Sequence, residues 1–388
     1  MSEFTENRET VPITLPEWLL LQAGQHPAGI ALRHKHLGVW QVRSWSQVAT
    51  QVLSLATALH LRGFSPGATL TLLSRPRPEA LLATLAAQWL GGVAALLDPL
   101  DAASEQTALL EQLQPDFIFA EGLEELQRVD AARLAPQMVF YADGRTVTGN
   151  ADGQGRWVAY ASLVEQAPNL ELPVRGHSQH TAFAFYRRGE GGVLEQQRIS
   201  HAELLNEGRH LVEVQQLGSH EEALAARAFA AGGQARYLLA PWLIAGFRLN
   251  FPESLATRDN DRRELGPTLV AGTRETYGRL HALVLTRLPP VGSWQRHLVE
   301  WALASRPGVV RRVLGDWLIR RPLRDVLGFS RTHAALLVGD ALPENTKAFF
   351  ALLGIDIQGW PDPGQWQPRA RASAERVDGW INDGPQLA

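Results

Sequence analysis

The first half of the sequence alternates between segments with helical spacing and short runs typical of strands, and this alternation is its strongest constraint on the fold. Segments that alternate in this way form an α/β layer around a mainly parallel sheet. The predicted helices cover residues 45–61, 77–90 and 104–114, and the predicted strands cover 70–73, 93–97 and 117–120. A hairpin is predicted around Gly38. From the alternation of helices and strands we expect an α/β fold.

Composition excludes several classes of function. The chain has 388 residues, of which 45% are hydrophobic, and can therefore bury a large core. Its net charge of −3 gives no indication of nucleic acid as a partner. The absence of cysteine excludes disulfides, thiolate metal sites and a cysteine nucleophile. Because the N-terminus lacks the basic and apolar regions of a secretory signal, a cytoplasmic location is expected.

Residues 80–97 carry no charge and approach the length of a membrane-spanning helix. The stretch nevertheless contains Thr84 and Gln88, and its Gly91–Gly92 pair is typical of a turn. We therefore predict a buried helix, a glycine turn and a buried strand, with no transmembrane segment.

Residues 186–201 hold the most informative motif, Y-R-R-G-E-G-G-V-L-E-Q-Q-R-I-S-H. Without a gap it resembles the phosphate loop of the adenylate-forming (AMP-binding) enzymes, Y-T-S-G-T-T-G-x-P-K-G-V-x-L-S-H, and the chain is most similar to the long-chain acyl-CoA synthetases. Tyr186, Gly189 and Gly192 keep the frame of the loop, as do Ser200 and His201. The resemblance implies the N-terminal domain of that superfamily, two α/β lobes layered αβαβα, with the C-terminal domain missing.

The chemical groups of this loop have changed. Arg187 and Arg188 stand where the family has threonine and serine, and Glu195 replaces the family's lysine. A phosphate loop binds anions through glycine-rich N–H groups, which hydroxyls and a lysine complete. A carboxylate about 4 Å from a phosphate oxygen costs roughly 4 kcal/mol at an effective dielectric constant near 20. We therefore interpret the motif as a degenerate phosphate loop without catalytic residues.

The two residues that end the motif have a structural interpretation. Ser200 is a candidate N-cap, and Glu203 follows three residues later, which together form a capping box. We therefore predict that Ser200 begins a helix, and that His201 is structural as well.

A possible nucleotide pocket is implied by the resemblance near the end of the second lobe. Gly339, Asp340 and Ala341 match the turn that meets adenine in the family, and Trp360 stands where a family aromatic residue stacks on adenine. Residues 361–363 replace the threonine and glutamate that serve Mg²⁺ and phosphate, so no metal site is expected.

A basic, amphipathic stretch at residues 308–329 has two interpretations. Arginines recur along it among apolar residues, a pattern that could contact anionic lipid or a CoA phosphate. The resemblance instead implies the family's exposed helical arm.

The resemblance implies a division into three parts. Residues 1–180 form the first α/β lobe, 181–360 form the second lobe with the degenerate loop, and 361–388 form a loop-like tail. Within this tail, residues 375–385 resemble the remnant of a family β subdomain.

Three hypotheses for function remain open. The first is a catalytically inactive relative of the acyl-CoA synthetases that acts as a binding or regulatory protein, either with an intact synthetase as partner or by self-association. The second is a sensor that binds fatty acid, acyl-CoA or a nucleotide without turnover. The third is an active acid–thiol ligase completed in trans, which would use ATP and Mg²⁺; the first two need no cofactor.

Overall fold

Two sheets separated by a layer of helices make up the fold. The computed structural model describes residues 11–145, 147, 157–165, 170–227, 229, 232–302, 313–362 and 365–369. The helices are α1 (Leu15–Gln25), α2 (Trp45–Leu61), α3 (Pro78–Trp89), α4 (Ala103–Leu113), α5 (Leu123–Ala131), α6 (Tyr160–Glu165), α7 (His201–Gln215), α8 (232–245), α9 (Arg258–Leu265), α10 (Arg274–Arg287), α11 (Trp294–Ala302), α12 (313–327) and α13 (Glu344–Leu352). The strands are β1 (Ile30–His36), β2 (Val39–Ser44), β3 (Thr69–Leu73), β4 (Val93–Leu97), β5 (Phe117–Ala120), β6 (Met138–Tyr141), β7 (Trp157–Ala159), β8 (Thr181–Arg188), β9 (Leu194–Ser200), β10 (Glu222–Leu224), β11 (Arg248–Phe251), β12 (Leu269–Gly272), β13 (Ala334–Val338), β14 (Ile357–Trp360) and β15 (Gln367–Pro368).

Each of the two sheets contains strands from both halves of the sequence. The eight-stranded sheet has the order β15-β9-β8-β4-β3-β5-β6-β7, and the seven-stranded sheet has the order β14-β13-β12-β10-β11-β1-β2. Most pairs are parallel; the antiparallel ones are β1 with β2, β8 with β9, and β9 with β15. The boundary predicted at residue 180 therefore does not coincide with the division between the sheets. The hairpin β1–β2 joins the second sheet because β1 pairs with β11.

Alternating side chains of the central strands are buried on both faces of each sheet. In β5, Phe117 and Phe119 face the central helices, whereas Ile118 and Ala120 pack with α4 and α5. In β13, Leu336 faces the central helices, and its neighbours on the strand pack with α10 and α13. Sheets that are buried on both faces require helices on both sides. The predicted αβαβα layering is thereby confirmed.

The uncharged stretch from residue 80 folds as predicted. Every residue of α3 is buried, and the chain then turns at Gly91, whose φ of +76° favours glycine. Strand β4 follows and is mostly buried. Across the described residues, no helix combines the length and apolarity needed to span a membrane.

Helices α8 and α12 each contain one π-helical turn, over Ala235–Leu239 and Asp316–Arg320. In both helices the π turn ends two residues before a proline, Pro241 or Pro322. A proline within a helix lacks an N–H donor and clashes with the carbonyl four residues earlier, which the wider turn relieves. This common spacing explains why both helices widen at the same place.

Candidate functional site

The degenerate phosphate loop forms a tight hairpin between β8 and β9. Its turn includes Gly191 and Gly192, at φ values of +70° and +76° that favour glycine. The N–H of Gly189 donates to the carbonyl of Val193 (2.8 Å), and the N–H of Gly192 donates to the carbonyl of Gly189 (3.1 Å). An anion-binding loop needs N–H groups that are free to point at the ligand. Two of those groups are therefore already engaged within the turn.

Ion pairs occupy the mouth of this loop. Arg187 Nε lies 2.7 Å from Oε2 of Glu195, directly across the hairpin. The Glu195 carboxylate also lies over Gly189, where an added β-carbon would collide with it. Arg188 extends outward to Glu105, 3.4 Å away. Each arginine that replaced a hydroxyl residue is thus paired with a carboxylate.

The chain returns to the loop through the short strand β15, which pairs antiparallel with β9. The Arg187 guanidinium carbon lies 4.4 Å from the centroid of the Trp366 ring, a cation–π contact. The backbone N–H of Arg369 donates to the carbonyl of Leu194 (2.8 Å), and the Arg369 guanidinium group lies over the Tyr186 ring. Arg187 is therefore held between Glu195 and Trp366. The remainder of the predicted tail, including the β-subdomain remnant, lies outside the described residues.

The four residues of the possible nucleotide pocket lie together at the carboxyl ends of β13 and β14. Gly339 donates its N–H to the carbonyl of Trp360 (3.1 Å), and Asp340 and Ala341 are exposed in the turn that follows. A β-carbon added at Gly339 or Gly359 would meet open space. The Trp360 ring contacts the rings of His210 and Tyr237, at centroid distances of 5.6 and 5.4 Å. Stacking of Trp360 on adenine remains a prediction.

A buried ion network that the sequence analysis missed joins the pocket to α7 and α8. Arg236 is only 4% exposed; its Nε lies 2.8 Å from Glu207 and its Nη1 2.9 Å from Asp362. The hydroxyl of Tyr237 donates to the carbonyl of Pro361 (2.5 Å), and burial raises the pKa of Tyr237 to about 12. The only signal in the sequence was Asp362, within the segment that replaces the family motif. Its partner, 126 positions earlier, could not be found from spacing.

The start of α8 connects the loop to the pocket. A β-carbon at Gly232 would lie 3.0 Å from Ile199 of β9 and 3.2 Å from Asp362, and one at Gly233 would collide with Val338. Only five residues separate Trp360 from Trp366, the residue that contacts Arg187. The start of α8 therefore lies close to β9, to β13 and to the segment that follows β14. Among the described residues, no group of three or more histidine and carboxylate side chains is placed to hold a metal ion.

Helix α7 begins at the predicted capping box. The Ser200 hydroxyl accepts from the N–H of Glu203 (3.2 Å), and the Glu203 carboxylate accepts from the N–H of Ser200 (2.7 Å). His201 is buried and accepts the N–H of Leu15 at Nδ1 (3.3 Å), which fastens α1 to α7. Burial lowers the pKa of His201 to about 3. These contacts give both residues structural roles.

We expect His201 to make stability fall in mild acid. Its folded-state pKa lies below the ordinary histidine value of 6.5, so its contribution is complete above pH 6.5 and is lost as the pH falls toward 3. The loss at pH 5 should be about 2 kcal/mol. Urea unfolding at pH 7 and pH 5 should show a smaller pH dependence for His201→Gln, while the exposed control His26→Gln should match the wild type. Equal pH dependence in all three proteins would contradict this assignment.

A separate cavity of about 340 Å³ lies where carboxyl ends of strands from both sheets meet. Its charged lining comes from β1 and from the segments after β3, β5, β6 and β11: Lys35, Arg75, Arg77, Glu121, Asp143, Arg145 and Glu253. Many of these charges pair with each other, as Arg75 does with Glu121 (3.2 Å) and Arg145 with Asp143 (2.6 Å). Much of the charge on the cavity wall is therefore balanced by other residues of the same wall. Nothing in the sequence analysis pointed to this cavity.

Comparison with known proteins agrees with this architecture. A family model described as "AMP-binding enzyme" matches residues 20–360. No curated protein matches the sequence. Similar solved structures are an anthranilate CoA ligase, AuaEII, in complex with anthranoyl-AMP (15% identity, TM-score 0.66), and a fatty acyl-adenylate ligase from L. pneumophila in complex with acyl adenylate and pyrophosphate (13%, 0.62). A third is the A-PCP didomain of carboxylic acid reductase from Segniliparus rugosus in complex with AMP (12%, 0.70).

Each match covers most of this chain but only part of the solved structure. They include 90%, 89% and 91% of this chain, which itself spans only 59%, 53% and 52% of the respective structures. At such low identity, the similarity establishes a common fold.

Proposed function

The chain belongs to the AMP-binding enzyme family, and on that premise we propose that it is a catalytically inactive relative of the long-chain acyl-CoA synthetases, acting as a binding or regulatory protein. Its fold resembles those of an anthranilate CoA ligase and a fatty acyl-adenylate ligase. The proposal concerns what the altered loop does on that fold. An intact synthetase or a second copy of the chain is the proposed partner.

The observation that carries the proposal is the Arg187–Glu195 pair across the mouth of the loop. Adenylation needs in-line attack of a carboxylate on the α-phosphate, while neutralising groups stabilise the charge on the departing pyrophosphate. Here a carboxylate lies over Gly189, and its neutralising arginine is held by Trp366. A triphosphate would have to break this pair and would still meet the Glu195 charge.

A second candidate function, ligand sensing without turnover, is favoured by the open space above Gly339 and Gly359. The turn that meets adenine in the family remains accessible there, so a nucleoside, which carries no phosphates, could bind without entering the loop. Fatty acid or acyl-CoA is the alternative ligand. A rise in melting temperature with adenosine or with acyl chains, in the absence of exchange activity, would support this candidate.

Exchange of labelled pyrophosphate into ATP tests the leading proposal. With Mg²⁺ and fatty acids of several chain lengths, we expect exchange at the level of a protein-free blank, whereas an intact acyl-CoA synthetase assayed alongside should be active. Reproducible exchange that disappears on replacing Arg187 and Arg188 would overturn the proposal. That result would instead favour the active ligase, with the two arginines binding phosphate.

A further inference from the structure

Helix α12 presents an apolar face to solvent. Val313, Leu314, Trp317 and Leu318 are 63%, 45%, 66% and 41% exposed. Their spacing of one, four and five residues places them on one side of a helix. Isolated exposed apolar residues are common, but a continuous stripe that includes a tryptophan normally marks an interaction surface. We call this stripe the α12 face.

The opposite side of α12 is fixed to the protein. Gly315 is buried so closely against Ala302 of α11 that a β-carbon added there would lie 3.3 Å from the Ala302 β-carbon. Arg320 Nη2 also donates to the carbonyl of Ala302 (3.1 Å). These contacts hold α12 against α11 and leave the α12 face on the side of the helix that is exposed to solvent. The preceding segment adds two strongly exposed apolar residues, Val291 (88%) and Trp294 (73%).

Positive charge is concentrated in the same region of the chain. The described residues of this region, 285–302 and 313–327, include five arginines and three acidic residues, a net charge of +2, whereas the whole chain has a net charge of −3. Arg321 is 67% exposed and follows Trp317 by one helical turn. Asp316 lies 3.0 Å from Arg321 and 2.9 Å from Arg324, so it offsets only part of this excess.

We propose that the α12 face docks on the surface of an anionic lipid bilayer. Tryptophan, leucine and valine side chains enter the interfacial layer of a bilayer, and flanking arginines bind lipid phosphates. A second copy of the chain fits less well, because two faces with the same positive charge repel each other. A small phosphorylated ligand would use the arginines but would leave the apolar stripe exposed. This proposal does not depend on whether the chain forms adenylates.

Co-sedimentation with vesicles tests the proposal. The full chain should sediment with phosphatidylcholine vesicles containing one-third phosphatidylserine, and only weakly with phosphatidylcholine alone. Raising the salt from about 0.1 M to about 0.5 M should release it, because the screening length shortens. The double variant Trp317→Gln, Leu318→Gln should bind at least about tenfold more weakly, a loss of about 1.4 kcal/mol. Arg321→Gln should weaken binding and reduce its salt dependence.

A matched control changes two apolar residues of similar exposure elsewhere. Leu61 and Val214 are 57% and 52% exposed, and Leu61→Gln with Val214→Gln should bind vesicles like the wild type. Melting temperatures close to that of the wild type would show that the variants are folded. The proposal is overturned if the wild type stays in the supernatant with anionic vesicles, or if the Trp317, Leu318 variant binds as well as the control. It is also overturned if those two substitutions abolish a dimer while no vesicle binding occurs.

Discussion

Glu79→Gln is expected to lower the free energy of unfolding by about 3–5 kcal/mol, the usual cost of removing one partner from a buried ion pair. Glu79 is 9% exposed and binds two guanidinium groups, Arg43 Nη2 at 2.7 Å and Arg77 Nε at 2.8 Å. Arg43 belongs to β2 of the seven-stranded sheet, whereas Glu79 and Arg77 lie at the start of α3, which follows β3 of the other sheet. The substitution would leave Arg43 without a countercharge at the junction of the sheets and Arg77 with only Glu121, 3.9 Å away. Urea denaturation at pH 7 measures the effect.

A control and a pH series sharpen this prediction. Glu124→Gln removes an exposed carboxylate 3.5 Å from Arg128 and should cost less than about 1 kcal/mol. Burial opposes ionisation of Glu79, but Arg77 and Arg43 outweigh it and hold its pKa at about 2. Because this pKa lies below the ordinary glutamate value of 4.5, the stabilisation is complete above pH 4.5 and is lost as the pH falls toward 2. Equal costs for the two substitutions at pH 7 would contradict the assigned role of Glu79.

The elements of the fold were largely predictable because they bury apolar residues on a regular period. Helix α2 and strand β4 have the predicted bounds, and the hairpin around Gly38 is present. The assignment of strands to sheets was not predictable in this way. Periodicity shows which face of a strand is buried but not which strand lies beside it, and β1 pairs with a strand more than 200 residues later.

The candidate site was predictable in its charges but not in its contacts. The replacement of lysine by Glu195 was visible in the motif, because the frame of the loop is retained. The contact of Trp366 with Arg187 and the pairing of Arg236 with Asp362 both depend on the return of the chain after β14. Such contacts join residues over 100 positions apart, and no local pattern encodes them. They hold the segment after β14 against the loop and against α8.

Restoring the family's side chains to the loop should restore ATP binding. The triple variant Arg187→Thr, Arg188→Ser, Glu195→Lys removes the pair that occupies the mouth of the loop and replaces a repulsive charge with an attractive one. Each charge pair at about 4 Å is worth roughly 4 kcal/mol at an effective dielectric constant near 20. If only about 3 kcal/mol of the combined change is realised after desolvation, affinity for ATP rises by about 100-fold. Isothermal titration calorimetry of ATP with the wild type and the variant measures this gain.

The design separates charge reversal from the opening of the loop. The three substitutions together leave the net charge of the chain at −3, so a gain cannot come from non-specific attraction. The matched control Arg187→Thr, Arg188→Ser opens the loop but leaves Glu195 without its partner, and should bind no ATP. Pyrophosphate exchange should remain at background in the triple variant, because residues 361–363 still lack the family's Mg²⁺ ligand. A folded triple variant that binds ATP no better than the wild type would show that the charge of Glu195 does not keep nucleotide out of the loop.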